Sequence, residues 1–176
     1  MSRAIQLVNL MDELLAKRPK TELRVVELGA IRSQAPIYRE GDGYSTLHIA
    51  EAARGKKRCK ITSVDLDTSV ARRILLQEGL FDGEDRPDIQ LVEEDALHWA
   101  KRTKATIDLL YIDTVTEAGH ICNLFETLLP RMRHGSYIVI DDIDQPSIHD
   151  RVIAFIEGYI ELSYVVVNRQ LVVSVP

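Results

Sequence analysis

Short apolar runs alternate with helix-patterned segments along most of this chain, and several of the runs end in an acidic residue. The first run ends in Glu27-Leu28-Gly29, a later one ends in Asp65, and another ends just before Asp113. Strand–helix alternation predicts a mostly parallel sheet with helices on both faces. Such sheets bind ligands at the carboxyl ends of their strands. Acidic residues there can accept hydrogen bonds from ribose hydroxyls, an ammonium group or an exocyclic amine, which favours a nucleoside-containing cofactor.

The predicted elements fit one domain over residues 1–176, which begins with an amphipathic helix within residues 1–19. Predicted strands cover residues 23–28, 60–65, 89–92, 107–112 and 136–140. Predicted helices cover residues 44–54, 69–78, 96–103, 117–129 and 148–159. Two further strands, 162–167 and 170–175, flank a short polar turn and predict an antiparallel hairpin. The expected fold class is α/β: a doubly wound, Rossmann-like, mostly parallel seven-stranded sheet with an antiparallel C-terminal strand, in three α/β/α layers.

Composition narrows the range of partners. The net charge of −5 argues against binding to a nucleic-acid backbone, and the one basic cluster, residues 54–60, is interpreted as a solvated turn. The two cysteines are far apart and predict no disulfide framework, which favours a reducing cytoplasm. The N-terminal segment carries acidic residues and has no long apolar run, so neither a signal peptide nor a membrane span is expected.

Six motifs in register resemble the class I S-adenosylmethionine-dependent methyltransferase family across residues 22–175. They read VVELG, GDGYSTLHIAEA, ITSVDLD, LVEEDALHWA, IDLLYID and LLPRMRHGSYIVIDD. The closing hairpin agrees with this resemblance, since the last strand of the family runs antiparallel. The resemblance implies that S-adenosylmethionine is the cofactor.

The resemblance also implies a role for each matching residue. Glu27 and Gly29 would approach the methionine part of the cofactor. Asp65 would hold the ribose hydroxyls. Asp95 would meet the adenine amine, with the backbone N–H of Ala96 near the ring; Asp95 is also a candidate N-cap.

One departure from the family pattern follows Gly29, where the usual glycine-rich turn is missing. We interpret residues 30–43 as an inserted loop near the cofactor site, since loops of this length are often lids or binding loops. Gly43 would then let the backbone approach the cofactor, and Ser45 or Thr46 would bind its carboxylate near a helix N-terminus.

Asp113, Asp141 and Asp142 follow the fourth and fifth strands, and the resemblance implies that Asp113 lies beside the transferred methyl group. Three converging carboxylates would supply oxygen ligands for Mg²⁺ or another divalent cation. This pattern is similar to metal-dependent catechol-type O-methyltransferases. Two differences stand against it: Asp142 replaces an asparagine, and the lysine expected soon after the fourth strand is absent. His120 and His149 are the alternative candidates for a catalytic base.

The predicted activity is methyl transfer to a hydroxyl of a small molecule, without nucleic-acid or membrane partners. A non-catalytic module that binds S-adenosylmethionine or S-adenosylhomocysteine is the first alternative. An NAD-dependent oxidoreductase is the second, although the compact G-x-G-x-x-G turn is missing after the first strand. The N-terminal helix is expected to pack on its own domain, with a homodimer contact as the alternative use.

Overall fold

The computed structural model describes residues 3–32, 44–115 and 117–176, and its elements follow the alternation of the sequence. The helices are α1 (Arg3–Lys17), α2 (Ser45–Ala53), α3 (Ser69–Gln77), α4 (Ala96–Arg102), α5 (Ala118–Leu128) and α6 (Pro146–Glu157). The strands are β1 (Leu23–Leu28), β2 (Cys59–Asp65), β3 (Asp88–Glu93), β4 (Ile107–Ile112), β5 (Met132–Ile140), β6 (Ser163–Val167) and β7 (Gln170–Val175). Across these ranges, no helix combines the length and apolar character needed to span a membrane.

The strands form one seven-stranded sheet in the order β3-β2-β1-β4-β5-β7-β6. Strands β1 to β5 pair in parallel, whereas β7 runs antiparallel to both β5 and β6. The predicted fold class and closing hairpin are therefore confirmed. The position of β7 between β5 and β6 also departs from the 3-2-1-4-5-6 order of dinucleotide-binding sheets.

Two hydrophobic cores cover the faces of the sheet and explain why the helices are amphipathic. On one face, Met11 of α1, Leu47 of α2 and Leu75 of α3 pack against the sheet and are fully buried. On the other face, α4, α5 and α6 pack in the same way, and Phe125 of α5 is fully buried there. The apolar stripe of α1 therefore packs on its own domain, as expected.

The structure differs from the predicted boundaries mainly around the fifth strand. β5 begins at Met132 rather than at residue 136, and Gly135 within it adopts a left-handed φ of +70°. The register between β4 and β5 shifts near Ile107. α6 begins at Pro146 rather than at residue 148, because proline suits the first turn of a helix, where its missing N–H costs nothing.

A buried ion network closes the amino ends of β1, β4 and β5. Asp108 is fully buried and accepts hydrogen bonds from the Arg18 guanidinium and from the backbone N–H of Arg24, at 2.8 Å. The Arg133 guanidinium lies 3.1 Å from the same carboxylate and also donates to the carbonyl of Glu22 at 2.9 Å. Two cations and a backbone donor thus surround one carboxylate.

Candidate cofactor-binding site

An open cleft lies at the carboxyl ends of β1, β2, β3 and β4, where the sequence predicts a binding site. It encloses about 380 Å³ of free space, part of it open to solvent. Its walls include residues from the segments that follow four strands: Gly29, Asp65 with Leu66, Asp95 with Ala96, and Thr114 with Val115. Four predicted cofactor-binding residues, from three distant parts of the sequence, are therefore brought together.

Asp65 ends β2 and is 8 % exposed, at the base of this cleft. Its Oδ2 accepts a hydrogen bond from the backbone N–H of Ala30 at 2.8 Å, and its Oδ1 accepts from the N–H of Asp67 at 3.3 Å. The Nε of Arg32 lies 3.1 Å from Oδ2 and forms an ion pair with it. The Arg32 side chain is 59 % exposed, so solvent screens this ion pair.

Gly29 lets two neighbouring strand ends approach closely. Its φ is +95°, and a Cβ atom on it would lie 1.8 Å from the carbonyl oxygen of Asp113. Its N–H donates to the carbonyl of Val64 at 2.8 Å, while the N–H of Asp113 donates to Leu28 at 2.8 Å. Any larger residue would meet both a steric and a conformational penalty here.

Asp95 is the N-cap of α4, because its Oδ1 accepts a hydrogen bond from the N–H of His98 at 2.8 Å. This capping role was one of the two roles expected from the sequence. Ala96, the first residue of the helix, lines the cleft beside it. Contacts of these two residues with adenine stay a prediction.

Glu27, Ser45 and Thr46 form a buried cluster. Glu27 is fully buried, and its carboxylate accepts hydrogen bonds from Ser45 at 2.5 Å, from Thr46 at 2.7 Å and from the Ser63 hydroxyl. Burial raises the pKa of Glu27 to about 7, and the three hydroxyl donors only partly offset that effect. The sequence did not reveal Ser63, which is the register neighbour of Glu27 on β2.

Asp113 and Asp141 lie at the ends of adjacent strands with Tyr111 beside them. The Tyr111 hydroxyl donates to Oδ2 of Asp141, and both residues are almost fully buried. Burial and the negative charges of Asp113 and Asp141 hold the pKa of Tyr111 well above its usual range. Tyr111 therefore stays a neutral hydrogen-bond donor, a role that the sequence did not reveal.

Asp142 is turned toward the β6–β7 turn, and this bears on the predicted metal site. Its φ is +56°, and the Nη2 of Arg169 lies 2.5 Å from its Oδ1. The Nε of Arg169 also lies 3.0 Å from Asp144. In residues 3–32, 44–115 and 117–176, no three His, Cys, Asp or Glu side chains are grouped so that they could hold a metal ion. The residues present therefore do not fit a divalent cation at Asp113, Asp141 and Asp142.

The two candidate bases are in different surroundings. His120 lies in the first turn of α5 and lines the cleft. His149 lies on α6, and its Nδ1 is 2.9 Å from the carboxylate of Asp150. Gly43 and all but the first three residues of the predicted insertion 30–43 lie outside the described residues.

Two further groups of the cleft were not predicted. Arg32 follows the β1 motif closely, so its position in the cleft is consistent with its place in the chain, although no pattern pointed to its ion pair with Asp65. The Oγ1 of Thr114 is buried, and it has no hydrogen-bond partner within the described part of the chain. A buried polar atom without a partner at the wall of a cleft is suited to a polar ligand group.

Comparison with known proteins identifies the family. A family model described as "Methyltransferase domain" matches residues 40–143, which is more than half of the chain. The chain therefore belongs to this methyltransferase family, and the resemblance to class I S-adenosylmethionine-dependent methyltransferases is confirmed. No curated protein matches the sequence.

Solved structures with low sequence identity share the fold. Cofactor-bound Rv0187 from MTB has a TM-score of 0.71 and 18 % identity over 99 % of this chain and 81 % of that chain. The O-methyltransferase TomG from Streptomyces achromogenes, in complex with SAM, has a TM-score of 0.64 and 18 % identity over 100 % and 82 % of the two chains. The N-methyltransferase NodS from Bradyrhizobium japonicum WM9 has a TM-score of 0.59 and 13 % identity over 98 % and 92 %. Since an O- and an N-methyltransferase both share it, the fold does not determine the acceptor atom.

Proposed function

We propose that this protein is an S-adenosylmethionine-dependent methyltransferase that acts on a hydroxyl group of a small molecule. One observation carries the proposal: Gly29, Asp65, Asp95 and Ala96, which follow or end three different strands, line one open cleft. The family match makes methyl transfer the expected chemistry of that cleft.

The cleft offers a separate surface to each part of an adenosyl group. Asp65 would accept hydrogen bonds from the ribose hydroxyls, which would replace the exposed Arg32 side chain. Leu66 lines the cleft and is 75 % exposed, so its side chain offers an apolar surface to the adenine ring. Asp95 and the N–H of Ala96 would then lie at the edge of the base.

S-adenosylmethionine supplies the methyl group from a sulfonium, and the protein has to hold an acceptor in line with it. A hydroxyl acceptor must also lose its proton as the new bond forms. Of the two candidate histidines, His120 is the better base because it lines the cleft together with Thr114 and Val115. A ring nitrogen of His120 would take the proton of the acceptor.

A small, uncharged or cationic acceptor suits the charge of the protein. The net charge of −5 and the acidic strand ends disfavour a polyanionic acceptor such as nucleic acid. No divalent cation enters the proposal, because Arg169 already binds Asp142 and Asp144.

Calorimetric titration with S-adenosylhomocysteine tests the cofactor site. Asp65→Ala should weaken binding at least about tenfold, because a charge-assisted hydrogen bond to the ribose is lost. Asp67→Ala is the matched control: Asp67 is exposed and caps the N–H of Ser69 at 2.8 Å, so its loss should leave the affinity unchanged. Absence of binding by the folded wild-type protein would refute the proposed function.

Turnover separates the enzyme from a non-catalytic binding module. Wild-type protein should form S-adenosylhomocysteine with members of a panel of small hydroxyl compounds. His120→Asn should lower kcat by about 10²-fold or more, as expected when a general base is lost, whereas His149→Asn should not. Cofactor binding without turnover on any acceptor of the panel would favour the binding module.

A further inference from the structure

The carboxylate of Glu27 joins β1, β2 and α2 through three hydroxyl groups. Ser45 donates to its Oε1, whereas Thr46 and Ser63 both donate to its Oε2. Ser45 and Thr46 are the first two residues of α2, and Ser63 lies on β2. One buried carboxylate therefore fixes the start of a helix against two strands of the sheet.

Thr46 extends this connection to the segment that follows β1. Its Oγ1 donates to Glu27 and accepts a hydrogen bond from the backbone N–H of Ile31 at 3.3 Å. The neighbouring Ala30 N–H donates to Asp65 in the cleft, at 2.8 Å. Glu27 is thus connected to Asp65 in the cleft through the Thr46 hydroxyl, the backbone of Ile31 and Ala30, and the hydrogen bond that Ala30 donates.

The cluster is held without a positive charge. Among the residues that the structure describes, Glu27 has three hydroxyl donors and pairs with no cation. The titratable groups that act on it are Asp65 on β2 and Tyr111 on β4, and neither is cationic. Keeping a buried carboxylate in this way is costly, which calls for a role beyond packing.

We propose that Glu27 is a positioning residue for the cofactor: through Thr46 it holds the Ile31 backbone, and with it the Ala30 N–H that is bonded to Asp65, in the arrangement that receives the cofactor. This inference rests on the proposed function. It differs from the direct cofactor contact that the sequence implies for Glu27, because the carboxylate acts here through Thr46.

Two hydroxyl deletions on the same carboxylate oxygen provide a matched test. Thr46→Val removes the hydroxyl that joins Glu27 to Ile31, with almost no change in shape. Ser63→Ala removes a hydroxyl from the same Oε2 but leaves Thr46 and Ile31 in contact. Thr46→Ser keeps the hydroxyl and is the conservative rescue. Calorimetric titration with S-adenosylhomocysteine and thermal unfolding would be measured for each variant.

We expect Thr46→Val to weaken binding about tenfold, while Ser63→Ala and Thr46→Ser stay within about threefold of wild type. Equal weakening by Thr46→Val and Ser63→Ala, wild-type affinity in Thr46→Val, or failure of Thr46→Ser to restore binding would each overturn the proposal.

If Thr46→Val does not fold, the comparison passes to Glu27→Gln. In wild type, affinity should fall as the pH drops through 7, because a protonated Glu27 accepts fewer hydroxyls; in Glu27→Gln this dependence should be lost. An unchanged pH profile in Glu27→Gln would contradict the positioning role of Glu27. Other cleft groups such as His120 are present in both proteins, so the difference between the two profiles reports on Glu27. Failure of wild-type protein to bind would instead refute the proposed function.

Discussion

Two carboxylates, Asp108 and Glu27, are fully buried at opposite ends of the same sheet, and they are stabilised in different ways. Asp108, near the amino end of β4, is surrounded by the guanidinium groups of Arg18 and Arg133. Glu27, near the carboxyl end of β1, has only hydroxyl donors among the described residues. The first arrangement neutralises a buried charge, and the second leaves it without a counterion.

The different surroundings of Asp108 and Glu27 suggest that the amino end of the sheet serves stability, whereas the carboxyl end also serves cofactor binding. At the amino end, two cations and a backbone donor compensate the buried charge of Asp108, so its removal would leave those cations unpaired. At the carboxyl end, the buried carboxylate of Glu27 is held by hydroxyl groups alone, an arrangement that is common where a site must receive a ligand. The comparison predicts that substitutions at the amino end change stability alone, whereas those at the carboxyl end change both stability and cofactor binding.

The largest change in the free energy of unfolding is expected from substitution of one of two glycines, Gly29 after the carboxyl end of β1 and Gly135 near the amino end of β5. Gly29→Ala should cost about 4 kcal/mol or more in the free energy of unfolding, because its Cβ would lie 1.8 Å from the Asp113 carbonyl. Gly135→Ala should cost only about 1–2 kcal/mol: its φ is also positive, at +70°, but the nearest atom, on the Arg18 side chain, is 3.6 Å away. Urea unfolding followed by circular dichroism would measure both. Equal costs would show that backbone conformation, and not the close approach of β1 to β4, determines the requirement at Gly29.

The next largest change in the free energy of unfolding is expected at the amino end of the sheet, at Asp108. Asp108→Asn should cost about 3 kcal/mol, because it leaves two partly buried guanidinium groups without their counterion. The matched control is Asp12→Ala, since Asp12 also pairs with a cation, Lys56, but is 57 % exposed; its loss should change stability by less than about 1 kcal/mol. At a temperature where Asp108→Asn is folded, its affinity for S-adenosylhomocysteine should equal that of wild type. A large loss of affinity would contradict the separation of the two ends.

The third prediction concerns the pH dependence of stability that Glu27 contributes. Its pKa in the folded state is raised from 4.5 to about 7, so the folded protein binds a proton there that the unfolded chain has already lost. Stability from this group should therefore decrease as the pH rises from about 4.5 to 7 and level off above it, by up to about 3 kcal/mol. Glu27→Gln should remove that slope. The difference between the urea midpoints of the two proteins across this window is the measurement, and parallel curves would contradict the prediction.

The sequence predicted the fold well because hydrophobic periodicity and turn residues are local signals. Each of the seven strands was expected in its place. Acidic strand ends such as Asp65 were expected near one another from the topology, whereas the places of Gly29, Asp95 and Ala96 at the same site were implied by the family resemblance. Such positions depend on strand order, which the alternation of elements constrains strongly.

The side-chain partners could not be predicted, because they depend on register and on contacts between distant segments. Ser63 binds Glu27 because residues 27 and 63 pair across β1 and β2. Arg169 reaches Asp142 and Asp144 because β7 lies beside β5, which brings the β6–β7 turn to the end of β5. A count of acids at strand ends does not reveal such a neighbour, and this is why the three aspartates suggested a metal site.

The smallest effect is expected when divalent cations are added. This experiment tests whether Arg169 neutralises acidic residues at the carboxyl end of the sheet, as Arg18 and Arg133 neutralise Asp108 at the amino end. Mg²⁺ or Mn²⁺ titrated into chelator-treated protein with S-adenosylhomocysteine should give no saturable heat, and Asp141→Ala should give the same trace. A saturable heat in wild type that is lost in Asp141→Ala would restore the metal hypothesis for Asp113, Asp141 and Asp142. Arg169→Gln extends the test, because it frees Asp142 and Asp144 of their guanidinium partner. If that variant alone gains a saturable heat, the charge of Arg169 is what keeps a cation from this end of the sheet.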